Sequence, residues 1–534
     1  MDNARPAIVA PPWLALYDAG VPAEASPRHA TVMHAFLSAC EREPGKDFIY
    51  YRGVTLSYAD ADRWSDAVAL ELARHGIAHG DRIAVYLQSV PQFVIAVIAA
   101  WKLRAIAATV NPMYRERELA DVLRDSGAKV LFCESGEGAD MAQRVAAGCG
   151  VVHVTVCDPQ VASMPASLCG PNAAPRDLPN LQDPATFIYT SGTTGPMKAA
   201  VSTHGQVAYS AEVYRAWADM SPGDVIVAIA PLVHVTGMIG YIALAMAAGC
   251  SLVLTYRFTP VAFRDAVREH AGTFTIGPTT AFIALAAADD VEPSHLATLR
   301  KTYSGGAPIP AAIVERYRAR FGHTILGIYG LTEATGPTHM VPRGHPAPID
   351  TASGTQAVGL PVPGLACGIV DDEGRLVPTG TPGEISLSGP QLASGYWQRP
   401  ADTASTFTPD GLRTGDIGTM DACGWLYVID RKKDQINASG FKVWPREVEE
   451  VLYEHNAVLE CAVVGVPDEY RGETVRAYVA LRAGRELDAP SLEAFCRERL
   501  AAYKIPRSIV FLPQLPKTAS GKVLRRALRA TPAS

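Results

Sequence analysis

Short apolar runs and longer amphipathic stretches alternate through the first third of the chain. Apolar residues at helical spacing predict helices over Thr31 to Arg42, Ser57 to His75, Pro91 to Leu103 and Arg115 to Ser126. Between them, Phe48 to Tyr51 and Val54 to Leu56 around Gly53, then Arg82 to Leu87, Ile106 to Thr109, Lys129 to Cys133 and Val151 to Val156, predict strands. Such alternation implies a layered α/β unit with a largely parallel sheet. Pro159 to Pro184 and Val341 to Gln356 read as surface loops. No repeat of solenoid period is present. The last hundred residues change character. Glu447 to Tyr453 and the charged Ser491 to Leu500 predict helices, Cys461 to Val466 and Tyr478 to Arg482 strands, together a small α+β unit. The charged run Asp430-Arg431-Lys432-Lys433-Asp434 marks the boundary, dividing the chain into 1–430 and 431–534.

Val225 to Tyr256 holds no Asp, Glu, Lys or Arg, a length that suits a membrane helix. Pro231, Gly237, Gly240 and Gly249 punctuate it, so the preferred reading is a buried strand (Val225 to Ala230), a loop, a buried helix near Val235 to Ala248, and a second strand (Ser251 to Tyr256). At 534 residues the chain suits about three or four folding units. With 48% hydrophobic and 19% charged residues, wholesale disorder is excluded. The net charge of −6 gives no electrostatic reason to expect nucleic acid. Ten cysteines form no CxxC pair, and the opening Met1-Asp2-Asn3-Ala4-Arg5 leads into no signal-peptide core. Together these favour a reducing, cytoplasmic setting without a membrane span. Monomer and homodimer both stay open.

The most informative stretch is Tyr189-Thr190-Ser191-Gly192-Thr193-Thr194-Gly195-Pro196-Met197-Lys198, which follows an apolar strand. Glycines leave backbone N–H groups open, hydroxyls add donors, and Lys198 supplies a point charge, a combination that suits triphosphate oxygens. The spacing is not that of a Walker A loop. A lone Gly-Thr-Thr-Gly would be an ordinary turn; the whole string is far more specific.

This string resembles the phosphate loop of the adenylate-forming superfamily: acyl-CoA synthetases, firefly luciferases and peptide-synthetase adenylation domains. The usual string ends in Pro-Lys-Gly, whereas Met197-Lys198-Ala199 stands here and keeps only the lysine. Ser304-Gly305-Gly306-Ala307-Pro308, Tyr329-Gly330-Leu331-Thr332-Glu333, Thr414-Gly415-Asp416, Gly424-Trp425-Leu426-Tyr427 through Gly440, and Pro516-Lys517-Thr518-Ala519-Ser520-Gly521-Lys522 resemble the later motifs, in the family's order. The resemblance implies a large α/β N-terminal domain of mixed and parallel sheets, a small mobile C-terminal α+β domain, and ATP, Mg²⁺ and CoA as reaction partners.

It also implies roles. Gly305, Gly306 and Ala307 bind adenine, Tyr329 stacks on it, and Gly330 and Thr332 flank it. Asp416 holds the ribose, with Arg431 adding a contact. Glu333 and Thr190 ligate Mg²⁺, an ion that keeps waters and few protein ligands. Lys522 brings a cation to the reacting carboxylate and α-phosphate, although most lysines are merely solvated. His234 stands beside the acyl pocket, against the default of a satisfied core histidine. Peptide-synthetase domains carry Phe-Asp where His234-Val235 stands, which argues against amino-acid substrates. The family swings its small domain about a pivot that maps to Lys433, exchanging Lys522 for the loop with Ser439 and Gly440, which admits CoA. The basic tail Leu524-Arg525-Arg526-Ala527-Leu528-Arg529 reads as a solvated helix end. Similarity of Asp430 to Glu449, and of Pro12-Trp13-Leu14, to bacterial long-chain fatty-acyl-CoA ligases points to a fatty or other apolar monocarboxylate. An aryl acid, or a carrier protein in place of CoA, remains as an alternative.

Overall fold

The computed structural model describes residues 11–164, 177–190, 197–307, 309–350, 355–438, 441–468, 472–518 and 521–529, with the backbone alone at Phe441 and Gly472. Its helices begin where the sequence offers caps. Ser57 accepts from the Asp60 N–H while Asp60 reaches back to the Ser57 N–H, fixing the start of Tyr58–Arg74. Thr203 and Gln206 do the same for His204–Trp217. Pro91–Lys102 is apolar on every face and wholly buried. Its terminal Lys102 ammonium is held at 2.7 Å by both Asp62 and Asp66, the pairing a buried charge requires.

Two large sheets form the N-terminal part. One runs in the order His153–Cys157, Val130–Glu134, Arg82–Tyr86, Ile106–Thr109, Pro184–Thr190, Lys198–Thr203. It is parallel except for its last pair, a hairpin across the phosphate-loop sequence. The other has a parallel centre of Leu326–Leu331, Lys301–Ser304, Phe274–Gly277, Val225–Val227, Ser251–Val253 and Asp47–Tyr51, with antiparallel strands at both ends. Burial on both faces makes such strands continuous apolar runs, which is why the alternation was legible.

The uncharged stretch folds as a strand (Val225–Val227), a helix running from Val235 to Ala248, and a strand (Ser251–Val253). Met238–Ala243 widens that helix into a π turn. Gly237 lets the helix start against its own lead-in, since a Cβ there would stand 2.3 Å from the Leu232 Cα. Among the described residues no helix is long and apolar enough to cross a membrane.

A third, antiparallel sheet follows, in which Gly411–Met420 pairs with Leu426–Arg431 and sets Asp416 opposite Arg431. Lys432–Asp434 form a single 3-10 turn. Beyond it, Ile436–Ala438, Phe441–Val443, Val458–Asp468, Gly472–Leu481 and Ser508–Phe511 build a sheet of their own, packed against Pro445–Glu454. The expected small α+β unit is therefore present, with longer strands than the sequence indicated.

Candidate functional site

In open α/β sheets, ligands gather at the carboxyl ends of parallel strands. Three of the sequence-predicted segments lie at such ends. Gly305 and Gly306 follow Lys301–Ser304, Thr332 and Glu333 follow Leu326–Leu331, and Thr190 closes Pro184–Thr190. Gly305 donates to the Gly277 carbonyl at 3.1 Å, which fixes the turn to the neighbouring strand. Gly306 then turns with φ of +80°, a conformation that favours glycine.

Onto this turn comes a residue from the far end of the chain. The Lys522 Cε stands 2.8 Å, and its Nζ 3.4 Å, from where a Gly306 Cβ would be. Two contacts hold the lysine's own turn. The Thr518 N–H donates to the Lys522 carbonyl at 2.7 Å, and the Thr280 hydroxyl donates to the Gly521 carbonyl at 2.9 Å. Lys522 is solvent-accessible by surface area yet closely surrounded by protein atoms. That enclosure, aided by the Arg431 charge and opposed by Asp416 and Glu333, brings its ammonium down to about 8.

The Tyr329 hydroxyl donates to Asp416 Oδ2 at 2.7 Å, and Arg431 Nε lies 3.6 Å from Asp416 Oδ1. Burial raises the Asp416 carboxyl above its ordinary range, opposed by Arg431, Tyr329 and Lys522. The aromatic ring, the carboxylate and the arginine thus form one cluster. Glu333 accepts at 2.7 Å from the Tyr396 hydroxyl. Thr190 donates to the Lys198 carbonyl at 3.3 Å. Lys198 opens the returning strand of the hairpin, pairs with Asp402, and lies 5.3 Å from the Tyr396 ring centre. Gly330 sits against the Gly336 carbonyl, with no room for a Cβ. Ala307 is exposed beside Gly306.

His234 precedes the helix at Val235, and its Nε2 has no hydrogen-bond partner among the described residues. Enclosure, and secondarily the Lys522 cation, lower its imidazole to about 4, so it is neutral at physiological pH. Ser191, Gly192, Thr193, Thr194, Gly195, Ser439 and Gly440 lie outside the described residues.

Two residues were missed. Tyr396 and Asp402 couple Glu333 and Lys198, but lie some 60 and 200 residues from them in sequence. The only local signal was the aromatic pair after Ser394-Gly395. One reading is corrected: the basic tail is no solvated helix end. Arg525 is three-quarters covered and binds both Glu449 oxygens at 2.8 Å, and Arg529 binds Asp434 at 2.8 Å. On either side of Ser439 and Gly440, Asn437 pairs in register with Lys442 and Ala438 with Phe441.

Comparison with known proteins places the family. Residues 36–397 match the family described as AMP-binding enzyme, and residues 447–522 match its C-terminal domain. The chain is 32% identical to a long-chain-fatty-acid–CoA ligase of Bacillus subtilis (strain 168), over 97% of each chain. It is 33% identical to a feruloyl-CoA synthase of an Amycolatopsis species, over 91% of this chain and 96% of that one. It superposes on the crystal structure of an anthranilate CoA ligase in complex with anthranoyl-AMP with a TM-score of 0.86, at 26% identity, covering 95% of this chain and 98% of the other.

Proposed function

Since the chain belongs to the AMP-binding enzyme family, we propose that it activates an apolar monocarboxylate with ATP and passes the acyl group to CoA. The observation that carries this reading is Lys522 seated on Gly306 within the electrostatic field of Asp416 and Glu333. A carboxylate is a poor acyl donor. Attack of its oxygen on the α-phosphorus of ATP forms acyl-adenylate and expels pyrophosphate. A thiolate sulfur then attacks the acyl carbon and expels AMP.

The chain's own groups orient and neutralise. Tyr329 donates to Asp416 Oδ2, which fixes the tyrosine ring for stacking on adenine, and Asp416 Oδ1, shared with the Arg431 charge at 3.6 Å, would accept from ribose hydroxyls. Lys522 offsets charge that grows on the α-phosphate during attack. Lys198 needs only to leave Asp402 to meet phosphate oxygens. Neutral His234 borders the acid's entry without adding a competing charge. For Mg²⁺, Glu333 offers a carboxylate oxygen beyond the one Tyr396 holds, and Thr190 a hydroxyl; this sparse oxygen set fits an ion that retains water and phosphate ligands. The ion neutralises the polyphosphate when bound. Dependence on ATP and CoA supports a cytoplasmic setting for the reaction.

The test is incubation with ATP, Mg²⁺ and a panel of fatty and aryl acids, with and without CoA. Acid-dependent pyrophosphate exchange, followed by acyl-CoA when CoA is added, is the expected result. Exchange without acyl-CoA would assign a carrier protein as acceptor, and no exchange with any acid would overturn the reading.

Asp416→Ala is expected to raise the KM for ATP by about tenfold or more while leaving kcat within a few-fold, because ribose contacts exist in ground and transition states alike. An unchanged KM removes Asp416 from the site.

Packing behind the helix at Val235 favours a second reading, a compact aryl acid. The Tyr214 ring, 2% exposed, lies 3.4 to 3.6 Å from where Cβ atoms on Gly240 and Gly336 would stand. Ile239 and Ser210 lie 3.6 Å from that same Gly336 position, and the buried Ser210 hydroxyl has no partner among the described residues. An acyl pocket bounded by this packing would favour a compact acid over a long alkyl chain. Tyr214→Ala is expected to raise kcat/KM for medium-chain fatty acids relative to benzoate by about tenfold, the scale of one or two extra buried methylenes. An unchanged acid preference places Tyr214 away from the acyl chain.

A further inference from the structure

Asp430 and Arg525 make contacts that the activity proposed above does not use. Asp430 is the penultimate residue of the strand Leu426–Arg431 in the third sheet, paired in register with Ile417, and therefore belongs to the N-terminal body. Lys433, the proposed pivot, lies three residues later. Among the described residues, the hydrogen-bond partners of the Asp430 carboxylate other than its neighbour Arg431 come from beyond that pivot. Oδ2 accepts from the Arg446 N–H at 3.1 Å, Oδ1 from the Arg431 N–H at 2.8 Å, and Arg525 Nη1 reaches Oδ1 at 3.4 Å.

The first contact follows from local sequence. The helix Pro445–Glu454 has Trp444 as its cap residue, with no side-chain cap, and Pro445 has no N–H to offer. The Arg446 N–H is thus an unmet donor at a helix start. Asp430 meets it from the opposite side of the pivot, as a borrowed cap. The second contact draws on Arg525, which also binds Glu449 on that same helix and lies 3.6 Å from Asp434. Both Glu449 and Asp434 follow the pivot. Among the described residues, Asp430 is the one carboxylate partner of Arg525 that precedes it. Arg525 itself stands three residues after Lys522, on the segment that presents the lysine to Gly306.

We propose that Asp430 is a positioning residue: by capping the helix at Pro445 and pairing with Arg525 across Lys433, it latches the small unit in the orientation that seats Lys522. Rotation about the pivot breaks both contacts at once, because both end on one carboxylate on the fixed side. The latch rests on the two-orientation reading of the activity and adds to it the device that holds one orientation. Asp430 touches no substrate; it acts through Lys522.

The test separates the two half-reactions in Asp430→Asn, which keeps the side chain's shape and removes its charge, alongside wild type, Lys522→Ala and Glu449→Gln. Pyrophosphate exchange in Asp430→Asn is expected to fall about tenfold, the order expected when one charge-assisted contact is lost from a two-state balance. Thioester formation from supplied acyl-adenylate and CoA is expected to hold or rise. Glu449→Gln breaks the Arg525 contact that does not cross the pivot; it should lower the melting temperature without separating the half-reactions. Equal loss of both half-reactions in Asp430→Asn, no change in either, or the same split in Glu449→Gln overturns the latch. If Lys522→Ala also fails to separate them, the two-orientation reading falls with it. If Lys522→Ala separates them and Asp430→Asn does not, only the latch falls.

Discussion

Lys522→Ala is expected to slow acyl-adenylate formation by on the order of 10²-fold or more, the cost of one lost donor aimed at developing charge. Thioester formation from supplied acyl-adenylate should stay within a few-fold of wild type. The expectation comes from placement. Lys522 leans on the Gly306 turn, within the field of Asp416, which the Tyr329 hydroxyl holds, where the nucleotide is proposed to bind. A pH profile adds an independent readout. The ammonium is the useful form and its value is lowered to about 8, so kcat/KM for ATP in the adenylation step should fall as pH rises through about 8. The kcat profile should hold to higher pH, because bound triphosphate favours the protonated lysine. Equal loss in both half-reactions would falsify the assignment, and a flat profile between pH 7 and 9 would remove the lysine's charge from the chemistry.

Lys433→Pro is expected to separate the half-reactions in the opposite sense. Pyrophosphate exchange should persist, and thioester formation should drop by about 10² or more, the scale on which misplaced groups lose rate. Lys433 sits in the middle of the 3-10 turn Lys432–Asp434, between the last strand of the N-terminal body and the first strand of the small unit. Proline fixes φ near −65°, within the range of a 3-10 turn, so the orientation seen here accepts it. Rotation about the φ of residue 433 would be blocked by the proline ring. Retained exchange also serves as the folding control. A variant with full exchange and full thioester formation would place the pivot elsewhere.

Periodicity made the fold largely legible, and the exceptions have physical causes. The helix Ala139–Ala147 escaped notice because it is alanine-rich, lies between Gly138 and Gly148, and has no side-chain cap to announce it. The π turn at Met238–Ala243 leaves no trace in a stretch that is apolar on every face. In the site, residues inside contiguous motifs were legible because short strings carry their own geometry. Partners brought in by the tertiary fold were not. Asp402 reaches Lys198 and Tyr396 reaches Glu333 only once the third sheet has folded back on the hairpin. The tail arginines were misread for the same reason, since nothing near Arg525 in sequence names Glu449 as its partner.

The register that sets Asp416 opposite Arg431 has a further consequence. A ligand hydroxyl held by Asp416 is one strand spacing, about 5 Å, from a residue that directly precedes the turn of the proposed pivot. Sensing whether the sugar is present therefore needs no relay of side chains through the core. With Asp416 as the proposed ribose ligand and Lys433 as the proposed pivot, nucleotide occupancy and interdomain rotation would share a single ladder rung, and filling one would be felt at the other through adjacent backbone. Such a short coupling length predicts that ribose-modified nucleotides will alter the timing of the domain swing even where they bind as tightly as ATP.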